Sequence, residues 1–357
     1  MTVVFFVIVR GFINAEGNVL ARIKDVALKA GVASSTVSRV LNNDPSISIK
    51  KEKRDKILAI ADELGYLTPT MRKSCVHDED HFISRTQSKN NPYSEMNIVV
   101  IHFLNPTEEL NDPYFTSVRI GIEKQCHLYN IALRNTFVAN ITSSSHFIHQ
   151  AHAVICVGHF SSQDIDNIFR LNKNLIFVDS DPRERNCDSV LFDREEAAAA
   201  VVSRIIESGA SRPAFIGNDE SRLHVFTNMT KQAGIFHEDL CIVSNVFCIE
   251  SGYKAMSDML CQKIQPDVVF AATDIIAIGV YRAIQERQID IPKDIQVIGM
   301  NDIPAAQHLN PSLSTLRLFP VEMGEAAVDL ARERASGRTY RKKVMLDYEM
   351  VLRESFK

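Results

Sequence analysis

No Cys-x-x-Cys pair occurs among the seven cysteines of this 357-residue sequence, and their number is odd. That pattern argues against a disulfide framework and for reduced thiols in a cytoplasmic protein. Also missing is any apolar run near the roughly 18 residues that a membrane-spanning helix requires. The stretch "TVVFFVIV" at residues 2–9 is too short, has no basic segment before it and runs into Arg10, so it reads neither as a span nor as a secretion signal. G-x-S-x-G, a Walker loop, H-E-x-x-H and the dinucleotide-binding glycine fingerprint are absent too, so the expectation is a protein that is not an enzyme and needs no cofactor. Internal repeats and low-complexity tracts are likewise lacking.

What is present is enough apolar material for a large core, 45% of residues, with 24% charged. Two to three globular domains are expected at this length. The net charge of −4 conceals a division: residues 20–73 hold eleven Lys/Arg against six acids, a balance of +5, and the remainder is −9. A small basic module on an acidic body suits a polyanion bound at one end, since clustered Lys and Arg meet phosphates while an acidic body limits non-specific adhesion. A solvated charged surface would give the same numbers, so pattern has to decide.

From Ile23, the apolar residues Val26, Ala27 and Ala30 recur at helical spacing, and Gly31 supplies a permissive turn residue. In the next stretch, "ASSTVSRVLNN" (33–43), Val37, Val40 and Leu41 lie at i, i+3 and i+4, so they face inward and leave Ser34, Ser35, Ser38 and Arg39 outside. After a polar break at Pro45, Ile57, Leu58, Ile60, Ala61 and Leu64 form a third stripe that stops at Gly65. Three short helices with a glycine turn between the first two make a helix-turn-helix unit, whose second helix enters the DNA major groove. Small residues at its start permit close approach, hydroxyls bond phosphates or base edges, and Arg bonds guanine O6 and N7. An ordinary three-helix bundle is the competing reading.

Residues 1–19 read as an unstructured N-terminal extension, 20–73 as a DNA-binding headpiece with its hinge, and 74–96 as a polar linker. In 97–357, short apolar runs at 97–103, 153–158, 175–179, 214–217, 268–272 and 296–300 alternate with helical stretches such as Phe115–Tyr129, Glu195–Ser208, Gly252–Leu260 and Ile275–Arg287. Continuous β-branched runs between amphipathic helices mean parallel strands covered on both faces, and some 260 residues of this predict two doubly wound α/β subdomains with a ligand cleft between them. Cys75, His77 and His81 in "CVHDEDH", and the histidines of "HFIHQAH" (146–152), have metal-ligand character. The first group lies in the linker and the second lacks a carboxylate, so no metal site is expected.

With these residues in hand, the chain resembles the lactose/galactose repressor (LacI/GalR) family of bacterial transcription regulators from about Arg22 onward. "IKDVALKAGVASSTVSRVLNNDPSIS" matches the family's headpiece; "NDPYF" (111–115), "GASRPAFIG" (209–217), "ATDIIAIGVYRAIQERQIDIPKDIQVIGMNDIP" (272–304) and "PSLSTL" (311–316) match its sensor core. The "NDPYF" and "GMNDIP" wording is most similar to repressors of β-galactosidase operons. The resemblance implies an all-α headpiece joined to a periplasmic-binding-protein-like core, a homodimer or tetramer on a pseudo-palindromic operator, and release by a small effector, usually a sugar. No leucine-heptad helix follows "VLRESFK", which favours a dimer.

By matching position, the resemblance assigns DNA contacts to Ser34, Ser35, Thr36, Ser38, Arg39 and Asn42, with Arg72 in the hinge. It assigns effector contacts to Tyr114, Phe115, Arg222, Thr273, Asp274, Asn301 and Asp302. Read for themselves, Asp274 suits a helix N-cap, Asn301 and Asp302 a turn, and Arg222 a surface position. Three positions depart from the family. Ala33 stands where a capping Ser is usual, Ser74 replaces the leucine wedged into the minor groove, and Val225 replaces a frequent Gly beside the arginine. Two alternatives follow: a sugar-binding sensor without specific operator binding, and a metal- or redox-sensing regulator.

Overall fold

The computed structural model describes residues 23–41, 49, 51–63, 96–244, 246–262 and 264–357. Asn42, Arg72, Ser74, the "CVHDEDH" segment and residues 1–19 lie outside the described residues. The chain divides into two compact units between Lys89 and Asn90.

In the first unit, α1 (Ile23–Ala30), α2 (Ser34–Leu41) and α3 (Lys51–Glu63) close on Val26, Ala27, Val37, Val40, Ile57, Ile60 and Ala61. The tight turn between α1 and α2 needs a left-handed residue, and Gly31 provides it at φ +68°. The Val32 N–H then returns to the Ala27 carbonyl at 3.1 Å. Ala33 takes the N-cap position of α2, its carbonyl accepting from the N–H groups of Thr36 and Val37. Its methyl cannot accept a bond as a serine side chain would, a loss of about 1 kcal/mol.

The second unit holds two six-stranded sheets. One is ordered β2 (Ala132–Phe137), β1 (Asn97–His102), β3 (Ala153–Val157), β4 (Leu175–Val178), β5 (Asp188–Phe192), β11 (Lys343–Leu346), all parallel. The other is ordered β7 (Cys241–Val243), β6 (Pro213–Gly217), β8 (Val268–Ala271), β9 (Gln296–Asn301), β10 (Ser314–Arg317), β12 (Glu349–Val351), with β12 alone antiparallel. All six apolar runs noted above are strands. The inner ones are covered on both faces, which is why their sequence shows no alternation.

Helices α4 (Pro106–Leu110), α5 (Pro113–Leu128), α6 (Ser145–Gln150) and α7 (Ser162–Leu171) belong to the first lobe, and α8 (Arg194–Glu207), α9 (Ser221–Gln232), α10 (Ile249–Met259) and α11 (Asp274–Glu286) to the second. The chain then returns: α12 (Pro320–Ala335) packs on β3, β4 and β5 of the first lobe. Each lobe contains a helix pair in close approach, α5 with α12 and α10 with α11. A Cβ at Gly121 would lie 2.0 Å from the Val321 carbonyl oxygen, and one at Gly279 2.0 Å from that of Ile249. The backbone therefore passes between lobes at residue 193, at 318–319 and at 347–348. Short crossovers of this kind let two lobes rotate as rigid bodies.

Candidate functional site

On α2 the apolar side is sealed, Val37 and Val40 being at most 1% exposed. On its other side Ser35 and Arg39 are exposed, and Ser34, Thr36 and Ser38 are half-buried. The helix thus presents hydroxyls and a guanidinium along one face, the donor and acceptor set that reads base edges and phosphates.

In the core, ligands of open α/β sheets bind beyond the carboxyl ends of the strands. In the first lobe these ends are His102, Gly158 and Asp179. Asp112 caps α5, its side chain accepting from the N–H groups of Tyr114 (3.0 Å) and Phe115 (3.3 Å), and Pro113 opens the helix. Both aromatics are thereby fixed at the helix start. The Phe115 ring meets Phe103 edge-on at 4.9 Å, and Phe103 lies so close to the Gly158 backbone that a Cβ there would be 1.9 Å from its ring. The buried Tyr114 hydroxyl donates to Asp179 Oδ1 at 3.4 Å. Burial pushes the Tyr114 hydroxyl far above its usual pKa, so it remains a neutral partner.

The second lobe supplies Arg222, 6% exposed and so not the surface side chain its spacing allowed. Its Nη1 donates to the Ala272 carbonyl at 2.6 Å, its Nε donates to Glu220 Oε1, and its guanidinium lies 5.4 Å from the Phe247 ring. Arg194, at the first crossover, joins the lobes: Nη2 donates to Asp179 Oδ1 at 2.9 Å and Nε lies 3.9 Å from Glu220 Oε2. Asp179, Arg194, Glu220, Phe103 and Phe247 escaped the sequence reading. The one available signal was the acid closing "LIFVD", which follows a buried strand.

Thr273, rather than Asp274, is the N-cap of α11; its Oγ1 accepts from the Ile276 N–H at 3.4 Å. Asp274 is fully buried beneath the strand ends. Its Oδ2 accepts from the Ile303 N–H (2.9 Å) and its Oδ1 from Thr315 Oγ1 (2.6 Å). Burial pushes this carboxyl up to about 7 despite both bonds. Asp302 is also engaged, by Arg317 Nε at 2.8 Å and Arg353 Nη2 at 2.7 Å. Both aspartates brace the turn that carries Asn301. Asp179, Asn301 and Asp302 all have left-handed φ, +66°, +119° and +54°, a strain that non-glycine residues hold where structure over-determines them. The strand ends of the two lobes thus bring aromatic rings near a chain of alternating carboxylates and guanidiniums.

Among the described residues no helix is long and apolar enough to cross a membrane, and no group of His, Cys, Asp or Glu is placed to hold a metal ion. The sequence matches the family descriptions "Bacterial regulatory proteins, lacI family" over residues 22–69 and "Periplasmic binding protein-like domain" over 202–356. It is 30% identical over 349 residues to the HTH-type transcriptional repressor MelR of Bacillus subtilis, covering 94% of this chain and 97% of that one. A lactose operon repressor of Rhizobium radiobacter is 50% identical over 108 residues, 30% of this chain and 96% of that one. A solved complex of the transcriptional regulator CelR with cellobiose has the same fold, with a TM-score of 0.66 at 19% identity over 94% of this chain and 99% of that one. With a helix-turn-helix unit, two doubly wound lobes and near full-length similarity to such a repressor, the chain belongs to the lacI family of DNA-binding transcriptional regulators.

Proposed function

We propose that this protein is a cytoplasmic, dimeric, non-enzymatic repressor of a sugar-utilisation operon, with a β-galactoside as the first candidate effector. The headpiece, residues 20–73, holds the operator through Ser34, Ser35, Thr36, Ser38 and Arg39, with Asn42 and Arg72 completing the set. Residues 97–357 form the sensor, tied to the headpiece by the linker 74–96. The observation that supports this reading is an outward polar face on α2 in one unit and, at the strand ends of the other, Phe103 against Phe115 and Phe247 near Arg222, which is bonded to Glu220. A sugar ring offers an apolar face to aromatics and hydroxyls that both donate and accept. In this reading Tyr114, Thr273 and Asn301 contribute to the sugar site, and Asp274 and Asp302 brace the turn beside it through their bonds to the Ile303 N–H and Arg317. The lactose operon repressor among the relatives supports the sugar class.

Effector binding would bring the lobes to a different angle through the crossovers and weaken simultaneous docking of two headpieces on half-sites. Electrophoretic mobility shifts on a promoter fragment against random duplex, with and without galactosides, test this. The expected result is promoter preference that a galactoside or another sugar abolishes; equal affinity for both duplexes, whatever sugar is present, refutes it. Calorimetric sugar binding with no footprint on any promoter would instead favour a sensor without specific operator binding.

A further inference from the structure

The cleft guanidiniums are already matched by carboxylates, and this bears on which sugars the proposed site accepts. Arg222 Nε is bonded to Glu220 Oε1, and Arg194 lies between Asp179 Oδ1 (2.9 Å) and Glu220 Oε2 (3.9 Å). Two negative charges thus face two positive ones, and Glu220 touches both arginines. The side chains of Asp179, Arg222, Glu220 and Arg194 are 7%, 8%, 19% and 25% exposed, so solvent ions screen this group poorly. Beside it, the exposed Asp219 adds a further carboxylate, 3.4 Å from His224, and His159 lies 3.7 Å from Asp179.

We propose that Glu220 makes the effector cleft selective for uncharged saccharides over sugar phosphates, an inference that rests on the sugar reading above. A phosphate monoester carries a charge of about −1.5 to −2 at neutral pH and needs guanidinium forks to receive it. Here it would have to displace Glu220 from Arg222, leaving that carboxylate only its 3.9 Å contact with Arg194 in a poorly hydrated wall. A neutral saccharide asks for no such exchange. Its hydroxyls donate to remaining lone pairs of Asp179 and Glu220 and accept from guanidinium N–H groups, leaving the ion chain in place. Glu220 also fixes Arg194 at the crossover, so an effector that preserves the chain is sensed by both lobes at once.

Isothermal titration calorimetry on the full-length protein, E220D, E220Q and R194Q tests this with D-galactose against D-galactose 6-phosphate, D-glucose against D-glucose 6-phosphate, and lactose and cellobiose. Melting curves establish that each variant is folded. The wild type is expected to bind a neutral sugar at least about tenfold more tightly than its phosphate. E220D should retain that ratio, E220Q should lower it at least about tenfold, and R194Q, with a guanidinium removed, should raise it. Tighter binding of a phosphate by the wild type overturns the selectivity while leaving the sugar reading intact. An unchanged ratio in folded E220Q, or in R194Q should E220Q not fold, overturns the role of Glu220. Failure of the wild type to bind any of these sugars sinks both.

Discussion

Replacing Asp274 with asparagine should remove a pH dependence of stability that runs opposite to the one carboxylates usually confer. Asp274 is 0% exposed, and burial lifts its carboxyl from the ordinary 3.8 to about 7, although bonds from Thr315 and the Ile303 N–H pull the other way. Between these two values the folded chain keeps a proton that the unfolded chain has released. Stability from this group is therefore fully present below pH 3.8 and is lost as pH rises through about 7. At about 1.4 kcal/mol per pH unit, the whole change is about 4 kcal/mol. Asparagine has the same shape: its oxygen can accept from Ile303 and its amide can donate to Thr315, so D274N differs by a roughly fixed 1 kcal/mol in bonding. Urea unfolding of both proteins from pH 4.5 to 8 cancels the titration of groups that do not interact with Asp274. The difference, wild type minus D274N, should fall by about 3 kcal/mol across that range and level off above pH 7. A flat difference, or one that rises with pH, refutes the argument that desolvation dominates at Asp274.

Other substitutions probe separate parts of the molecule. Gly279→Ala would put a methyl 2.0 Å from the Ile249 carbonyl oxygen, forcing α10 and α11 apart; a loss of about 1–3 kcal/mol or more should appear as a lowered melting temperature. Arg334→Met removes a guanidinium that donates to the fully buried Asp188 at 2.9 and 3.0 Å while Arg338 and the Lys342 N–H stay bonded to it, and should cost about 1.5–3 kcal/mol in urea unfolding. Burial alone would raise the Asp188 carboxyl, but Arg334, Arg338 and the Lys342 N–H hold it below its usual range, so its contribution is present at neutral pH and lost in acid. Arg39→Ala should weaken promoter binding about tenfold to a hundredfold in mobility shifts, with loss of specificity if Arg39 reads a guanine or a shallower salt dependence if it meets a phosphate.

The headpiece was legible in the sequence because its information is local. Val37, Val40, Gly31 and the serines lie within a dozen residues, and the 3.6-residue period alone says which of them are inside. The inner strands were legible for a related reason: β3, β4 and β8, buried on both faces, must be apolar throughout. Edge strands carry no such requirement. In β2, "ALRNTF", exposed and half-buried positions alternate up to the buried Thr136, and they alternate throughout β11, "KVML", so neither stood out from loop sequence. Nor could one dimension show that β11 and α12, more than a hundred residues after β5, complete the first lobe.

The cleft divides along the same line. Tyr114, Phe115 and Arg222 were suggested by their local wording, whereas Asp179 and Glu220 acquire meaning only when Arg194 stands between them across two lobes. Asp274 shows the converse: its place before "IIAIG" announced a helix start, but burial and the reach of Thr315, 41 residues away, decided that its carboxylate serves the fold of the floor. Periodicity and turn chemistry act between near neighbours, so the sequence by itself determined the helices, the inner strands and the family. Desolvation and charge pairing depend on what surrounds a group in space, so only the tertiary structure decided which polar side chains remain available to a ligand.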